Sequence, residues 1–396
     1  MKAIGCEIFG GSQTIGHIQT GWDVDRVLEM TDDMRYNNSY HFIKNYPDIP
    51  IIDFSEWYNE EYLKDLQGKY DLLFANNPCS GLSSINRNAS VDKDVNKHFY
   101  EVLFAIENIK PKSFLIENAP TLVNLGLPIL KDIQLKLSNE YKLIIINDMA
   151  GNHNVAMPRR RTMIFGFRRD YFNNKIANLE SCKQDLFTVG QAFEGLTKDT
   201  PNMEFDKKIV DENFMRLYYL VQPGVSIMTT LADRLDEIKN LLTEEEYNKV
   251  LKFKTRRDEK RSVWEKSSVR IPIDGHALSL ASVIQLMHPT ENRDLYIREY
   301  ARLMGYPDDF IFYPDDCPLT MIQCIAQGVP VNFIKYASNE IVKAFNGNLI
   351  ETEYDVLYIN QCNGIQKKTE FTTNEFQSCE KIDRKKDNIR EESLWQ

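Results

Sequence analysis

The succession of apolar runs predicts an α/β fold, a parallel sheet covered by helices with a smaller domain inserted late in the chain. Three observations predict it. Over residues 1–170 short buried-strand runs alternate with helical stretches, the rhythm of βαβ units. Over 171–285 that rhythm gives way to Tyr- and Lys-rich stretches with one helical pair, LADRLDEIKNLL and EEEYNKVLKF. Over 286–348 compact, motif-like sequence returns. The 396 residues suffice for two to three domains at about 150 residues each.

The elements follow in order. MKAIGCEIF is a strand candidate that ends at Gly10-Gly11. A short helical segment leads to WDVDRVLEM, then come IPIID (49–53) and YDLLFAN (70–76). HFYEVLFAIENI (98–109) and LPILKDIQLKLSNE (127–140) carry apolar residues at helical spacing. SFLIEN (113–118), YKLIIIND (141–148) and RTMIFGF (161–167) complete the buried strands. Residues 349–396 are polar and charged, ending in KIDRKKDNIREESLWQ, and read as a solvated tail.

Composition narrows the class. Forty-eight basic against 58 acidic residues give a net charge of −10, which neither requires nor excludes a nucleic-acid partner. With 42% hydrophobic and 27% charged residues the balance is that of a globular chain. No apolar run approaches the roughly 18 residues of a membrane span. No membrane partner is therefore expected, and because Glu7 interrupts any signal-peptide hydrophobic region nothing suggests export. The seven cysteines (6, 79, 182, 317, 324, 362, 379) are odd in number and show neither a disulfide framework nor zinc spacing. They are expected to be reduced in a cytoplasmic protein without a metal site.

Four places carry chemistry. The first is the turn Phe9-Gly10-Gly11-Ser12-Gln13-Thr14-Ile15-Gly16, where glycines let the backbone turn tightly toward a ligand. Glu29 ends the next apparent strand, placed to accept hydrogen bonds from ribose hydroxyls. Asp53 ends the following one and could accept from an adenine amino group. Each carboxylate alone also reads as a solvated loop residue; the ordered set points to an adenosine-bearing cofactor. The second is Asn77-Pro78-Cys79-Ser80-Gly81-Leu82-Ser83-Ser84, which puts a thiol at a strand-to-loop switch. A buried cysteine is otherwise a small hydrophobe. The third is Glu117-Asn118 at a strand end, suited to general acid work. The fourth is Pro158-Arg159-Arg160-Arg161, either a solvated basic turn or a group that holds a base or phosphate.

In this order the motifs resemble the C5-cytosine-specific DNA methyltransferases. FGG…G…GW (9–22) resembles the family's first motif, with Glu29 at the usual distance for the second. Asn77-Pro78-Cys79 with Ser83 resembles the Pro-Cys nucleophile motif, Glu117-Asn118 the Glu-Asn motif, and Arg159 with Arg161 the Arg-x-Arg pair. HPTENRDLYIREYARLMGYPDDF (288–310) and IAQGVPVNF (325–333) resemble the two late motifs. The chain departs from the pattern in four ways. Its glycine loop is two residues shorter, and Ser80 stands where Gln is usual. Met157 also replaces a Gln, and Ala326-Gln327 replaces Gly-Asn.

The resemblance implies a Rossmann-like, S-adenosylmethionine-dependent methyltransferase sheet over 1–170 and 286–348, with a target-recognition domain at 171–285. It implies that Cys79 attacks C6 of a flipped cytosine, that Glu117 binds N3 and the exocyclic amine, and that Arg159 and Arg161 orient the base or the thiolate. The cofactor is expected against Phe9, Gly11, Gln13, Glu29, Met30, Asp53, Phe54, Pro78 and Gln327. Duplex DNA is expected to meet Ser83 and Arg87 of the loop after Cys79. It should also meet Lys254, Arg256 and Arg257 of the basic run KFKTRRDEKRSVW (252–264). The implied protein is a monomer in restriction-modification or DNA protection, with a cognate endonuclease as a further partner. Three other readings stand beside it: an RNA cytosine methyltransferase, a non-catalytic DNA-binding relative, and a thiol hydrolase using Cys79 with one of six histidines.

Overall fold

The computed structural model describes residues 1–7, 10–29, 39–83, 86, 88–180, 185–203, 212–259, 268–280, 285–313, 318–363 and 365–371. Its centre is a sheet of nine strands among the described residues. The strands of the first half are β1 (Lys2–Glu7), β2 (Asp23–Leu28), β3 (Ile51–Ile52), β4 (Leu72–Asn76), β5 (Ser113–Asn118), β6 (Tyr141–Met149) and β7 (Arg160–Arg168). Three two-residue strands follow: β8 (Ile176–Ala177), β9 (Val269–Arg270) and β10 (Leu286–Met287). The C-terminal strands are β11 (Leu349–Ile350), β12 (Val356–Asn360) and β13 (Lys367–Glu370). The order in the sheet is β13-β12-β6-β7-β5-β4-β1-β2-β3.

The helices of the sheet domain are α1 (Ser12–Ile18), α2 (Tyr40–Asn45), α3 (Phe54–Trp57), α4 (Glu60–Asp65), α5 (His98–Ile109) and α6 (Leu127–Leu137). Next come α7 (Val189–Phe193), α8 (Ile227–Asp233), α9 (Leu235–Ile238) and α10 (Glu244–Asp258), and finally α11 (Ile297–Leu303), α12 (Pro318–Gln327) and α13 (Val331–Phe345). The predicted strands and the helices at 98–109 and 127–137 are all present. LADRLDEIKNLL is broken at Arg234, whose ψ of 16° leaves the helical range and separates α8 from α9.

Side chains alternate along each strand, so the sheet is apolar on both faces and is covered on both. Ala3, Val27, Leu72, Phe74 and Leu115 face a core completed by Ile15 of α1 and by Phe333, Ile334 and Ile341 of α13. Ile4, Leu28, Leu73, Phe114 and Ile116 face a second core completed by Val102 and Ile106 of α5 and Ile133 of α6.

Two expectations need correction. The sheet is not wholly parallel: β7 runs antiparallel between β5 and β6. Only ten residues join β6 to β7, too few for the crossover a parallel return requires. Nor is the chain a solvated tail from residue 349. β12 pairs parallel with β6 from Val356↔Leu143 to Asn360↔Asn147, its side chains buried, and β13 adds the antiparallel edge. The short apolar run VLYIN was hidden by charged neighbours. Residues 372–396 lie outside the described residues.

A third core stands apart from the sheet. It joins Phe214, Tyr218, Ile227, Leu231, Leu235, Val250 and Phe253 with Met287. Arg270 ties this helical unit to the chain that returns to the sheet domain. Its buried guanidinium donates to the carbonyls of Val221, Tyr218 and His288 at 2.8 Å and of Glu291 at 2.9 Å, and to Asn292 Oδ1 at 2.9 Å. Beside it Tyr218 donates its hydroxyl to Asp294 Oδ1 at 3.2 Å.

Burial raises the Asp294 carboxyl from its ordinary 3.8 to about 6. The folded chain therefore holds this proton more tightly than the unfolded chain. The stabilisation is full below about pH 4 and is lost as pH rises through about 6. Asp294→Asn, neutral throughout, should gain on wild type by about 2–3 kcal/mol between pH 4 and pH 7. Urea denaturation at both pH values measures the difference; a gap that does not change with pH would refute it.

Candidate active site

The order of the sheet reverses at β1. β2 and β3 lie to one side of it, β4 and β5 to the other, which opens a crevice at the carboxyl ends of the strands. Three strand ends align there, Glu7 opposite Asn76 and Asn76 opposite Glu117. The turn leaving β1 passes through Gly11 at φ +76°, where a Cβ would come within 2.1 Å of the Phe42 ring. Both facts require glycine. Phe9, Met30 and Arg87, three of the expected contact residues, lie outside the described residues.

The late motifs close on this turn. Tyr306 donates its hydroxyl to the Gly10 carbonyl at 3.3 Å, and the Val329 amide donates to Ser12 Oγ at 3.0 Å. A Cβ on Gly16 would meet Ile334 at 2.6 Å, so α1 and α13 are in close contact. Tyr306 and Ser12 fall inside quoted motifs, yet nothing in their spacing marked them as the joints between those motifs.

Cys79 follows β4 in a tight turn, with the Leu82 amide on its carbonyl at 3.0 Å, and is partly exposed. Glu117, at the end of β5, is buried. Arg159 and Arg161 flank Arg160, the first residue of β7, with Arg159 in the turn before the strand and Arg161 within it. Arg161 Nε lies 2.6 Å from Glu117 Oε1. The contact is ionic rather than an aligned hydrogen bond, so that buried oxygen keeps its accepting capacity. Burial raises the Glu117 pKa and favours the neutral acid, while Arg161 and Arg159 oppose the shift.

Arg159 is buried, and its charge acts on both Cys79 and Glu117. Burial, with Arg161 beside it, lowers its pKa to about 9, still a cation at neutral pH. One terminal nitrogen of its guanidinium donates to the Leu280 carbonyl at 3.2 Å, while Nε has no acceptor among the described residues. The structure therefore joins the four residues Cys79, Glu117, Arg159 and Arg161. Among the described residues no hydrogen bond joins a histidine to Cys79. His17 is neutral, its pKa lowered to about 3 by burial, and stacks on Phe74 at 4.4 Å.

On the other side of β1, Glu29 and Asp53 end neighbouring strands, the Glu29 amide donating to the Ile52 carbonyl at 2.9 Å. Burial and the nearby Asp53 raise the Glu29 carboxyl. Such a group is relieved by hydroxyl donors, the chemistry of a ribose. Asp53 opens α3 without capping it, and Phe54 stacks on Tyr58 at 4.8 Å. Pro78 and Gln13 are buried, and Gln327 Oε1 is a buried acceptor without a partner. These residues fit an adenosine-bearing group.

The expected DNA contacts are more scattered. Ser83 is partly exposed beside the Cys79 turn. Lys254 donates to the Ala232 carbonyl at 3.2 Å, and Arg257 pairs with Asp233 at 2.6 Å. Both are committed inside the helical unit, whereas Arg256 is exposed. Residues 260–264 of the basic run lie outside the described residues.

Together, fold and site define a Rossmann-like α/β transferase with a thiol and a carboxyl at the edge of its sheet. The family model for the C-5 cytosine-specific DNA methylases matches residues 10–343. The chain belongs to that family. It is 25% identical over 310 residues to the type II methyltransferase M.PspPI of Psychrobacter, covering 76% of this chain and 68% of that one. It is 24% identical to M.Sau96I of Staphylococcus aureus over 70% of this chain and 61% of that one. M1.HgaI of Avibacterium volantium is 26% identical over 72% and 81% respectively. Among solved structures, a prophage-encoded protein of E. coli superposes with a TM-score of 0.59 at 19% identity, covering 87% of this chain and 99% of that one. A methyltransferase of Entamoeba histolytica does so with 0.57 at 11%, with the same coverage. Among the described residues no helix is long and apolar enough to cross a membrane.

Removing the Arg161 cation should raise the Glu117 carboxyl further. A raised carboxyl costs stability as pH climbs through its folded pKa. Arg161→Met should thus be close to wild type at low pH and fall behind by pH 8. The deficit should approach the roughly 3 kcal/mol lost when a buried pair loses one partner. Chemical denaturation at pH 5 and pH 8 checks it; equal deficits would show that Glu117 is not coupled to Arg161.

Proposed function

We propose that this chain transfers a methyl group from S-adenosylmethionine to C5 of cytosine in a specific duplex DNA sequence. The observation that carries the reading is the convergence of a thiol, a buried carboxyl and two guanidiniums at the ends of β4, β5 and β7. Family membership and the type II relatives support DNA as the substrate. The wider reading is a cytoplasmic, monomeric enzyme working beside a cognate restriction endonuclease.

The target base must leave the duplex stack, at a cost of a few kcal/mol. Once it is in the crevice, the Cys79 thiolate forms a bond to C6. Glu117, whose burial favours the acid, gives its proton to N3 as electrons move onto the ring, and accepts from the exocyclic amine. Arg159 donates to the carbonyl at C2 through the nitrogen that has no acceptor, and Arg161 holds the carboxyl in place. The C5 carbon is then enamine-like and nucleophilic. Gln13, Glu29, Asp53, Phe54 and Gln327 would hold S-adenosylmethionine, which would supply an electrophilic methyl group on a sulfonium sulfur. Loss of the C5 proton to water, departure of the Cys79 sulfur as thiolate and return of the N3 proton to Glu117 restore the ring. The helical unit at 212–258 is the proposed reader of sequence, with Arg256 on the phosphate backbone.

Tritiated S-adenosylmethionine incubated with mixed-sequence duplex DNA, and separately with tRNA, tests the reading. Wild type should label cytosine C5 in DNA, and Cys79→Ala should lose at least 1,000-fold, on the order of what a covalent nucleophile contributes. Label on tRNA alone would make the enzyme an RNA methyltransferase. DNA binding without any label would make it a non-catalytic relative.

A further inference from the structure

The turn that carries Arg159 is held by a buried polar cluster whose last member comes from beyond the family-matched region. Asp148, the second-last residue of β6, is fully buried. Its Oδ1 accepts from the Met149 amide at 2.7 Å and from Asn152 Nδ2 at 3.1 Å. Its Oδ2 faces His153 Nε2 at 2.6 Å and accepts from Gln361 Nε2 at 2.6 Å. Asn152 and His153 belong to the turn itself, which the Ala150 amide closes by donating to the Arg159 carbonyl at 2.8 Å. His153 is clamped in turn, stacked on Tyr336 of α13 at 4.0 Å and on Phe333 at 5.0 Å.

Gln361 follows β12 directly and has no exposure. Its amide donates to the Asn147 carbonyl at 2.9 Å, and its own carbonyl accepts from Asn152 Nδ2 at 3.2 Å. Its side chain also reaches the Tyr336 hydroxyl at 3.2 Å and accepts from Gln366 Nε2 at 2.8 Å. Every polar atom of this residue is thus used, and most of its partners lead toward the arginine turn. The amide bond to Asn147 continues the pairing of β12 with β6, but a residue serving only to fill the sheet edge needs none of the side-chain bonds.

We infer that Gln361 is a positioning residue for the methyl-transfer site: through Asp148, Asn152 and His153 it fixes the 150–159 turn, and so places Arg159 against Cys79 and Glu117. The chain beyond the last family motif is then part of the catalytic apparatus. The inference rests on the proposed function for the role of Arg159, while the geometry of the turn stands apart from it.

The test pairs Gln361→Leu, which keeps the volume and removes the hydrogen bonds, with Val356→Ala, a buried residue at the other end of β12. Three properties are read for each variant and wild type. They are thermal stability, steady-state methyl transfer to duplex DNA, and hydrogen exchange at 150–159. Gln361→Leu should lower kcat at least tenfold with KM for DNA and S-adenosylmethionine within twofold. It should also speed exchange of the Ala150 and His153 amides about tenfold. Val356→Ala should lower stability and leave kcat and those amides near wild type. Equal kcat losses in the two variants, or unchanged kcat and exchange in Gln361→Leu, would overturn the inference. Faster exchange in Gln361→Leu, with no methyl transfer by wild type, would uphold the anchoring of the turn. It would overturn the proposed function and with it the catalytic role of Gln361.

Discussion

The contact between Arg161 and Glu117 is a constraint on most of what surrounds it. A carboxyl buried at the end of a parallel strand has lost its water, and only a cation or a proton can compensate. The cation must come from a neighbouring strand at the same level of the sheet. β7 meets that condition because it runs against β5, so its first residues lie beside the last residues of β5. An antiparallel strand at this position is therefore tied to the chemistry of the edge. A parallel strand there would deliver its first residues to the opposite end of the sheet, some nine residues away.

The same edge divides the work. On one side of β1 the strand ends carry Glu29 and Asp53, two carboxylates whose proximity raises the first. On the other side they carry the thiol, Glu117 and the arginines. The glycine turn lies between, held by Tyr306 from the segment after α11 and by Val329 from the one after α12. The late motifs, distant in the chain, are thus structural parts of the crevice.

Much of this was legible in the chain. Strands such as SFLIEN and YKLIIIND are apolar on both faces, which marks a covered sheet, and Cys79, Glu117 and the arginines each stand next to a strand boundary. What was not legible depended on contacts with no local signature. VLYIN is a five-residue strand in a charged setting, and its burial follows only from the free edge of β6. Lys254 and Arg257 stand in a basic run expected to meet duplex DNA, yet a backbone carbonyl and Asp233, reached by helix packing, engage them. Gln361 has no motif at all. Its importance comes from a carboxyl more than two hundred residues away in sequence.

Three buried arginines show how structure and function separate within one residue type. Arg270 spends its donors on the carbonyls of Val221, Tyr218, His288 and Glu291. Arg298, without exposure, spends its own on Pro201, Pro307 and Phe310. Both are fully engaged with the backbone and tie chain segments together. Arg159 is as deeply placed but keeps Nε without an acceptor. An orphaned buried donor costs roughly 1–3 kcal/mol, more for a charged group. The guanidinium is held meanwhile through one terminal nitrogen, which donates to the Leu280 carbonyl at 3.2 Å and to the Met304 sulfur at 3.9 Å. An incoming acceptor then gains what the protein forgoes. A cytosine carbonyl is such an acceptor, and its arrival would complete the hydrogen bonding of a cation already set beside the thiol.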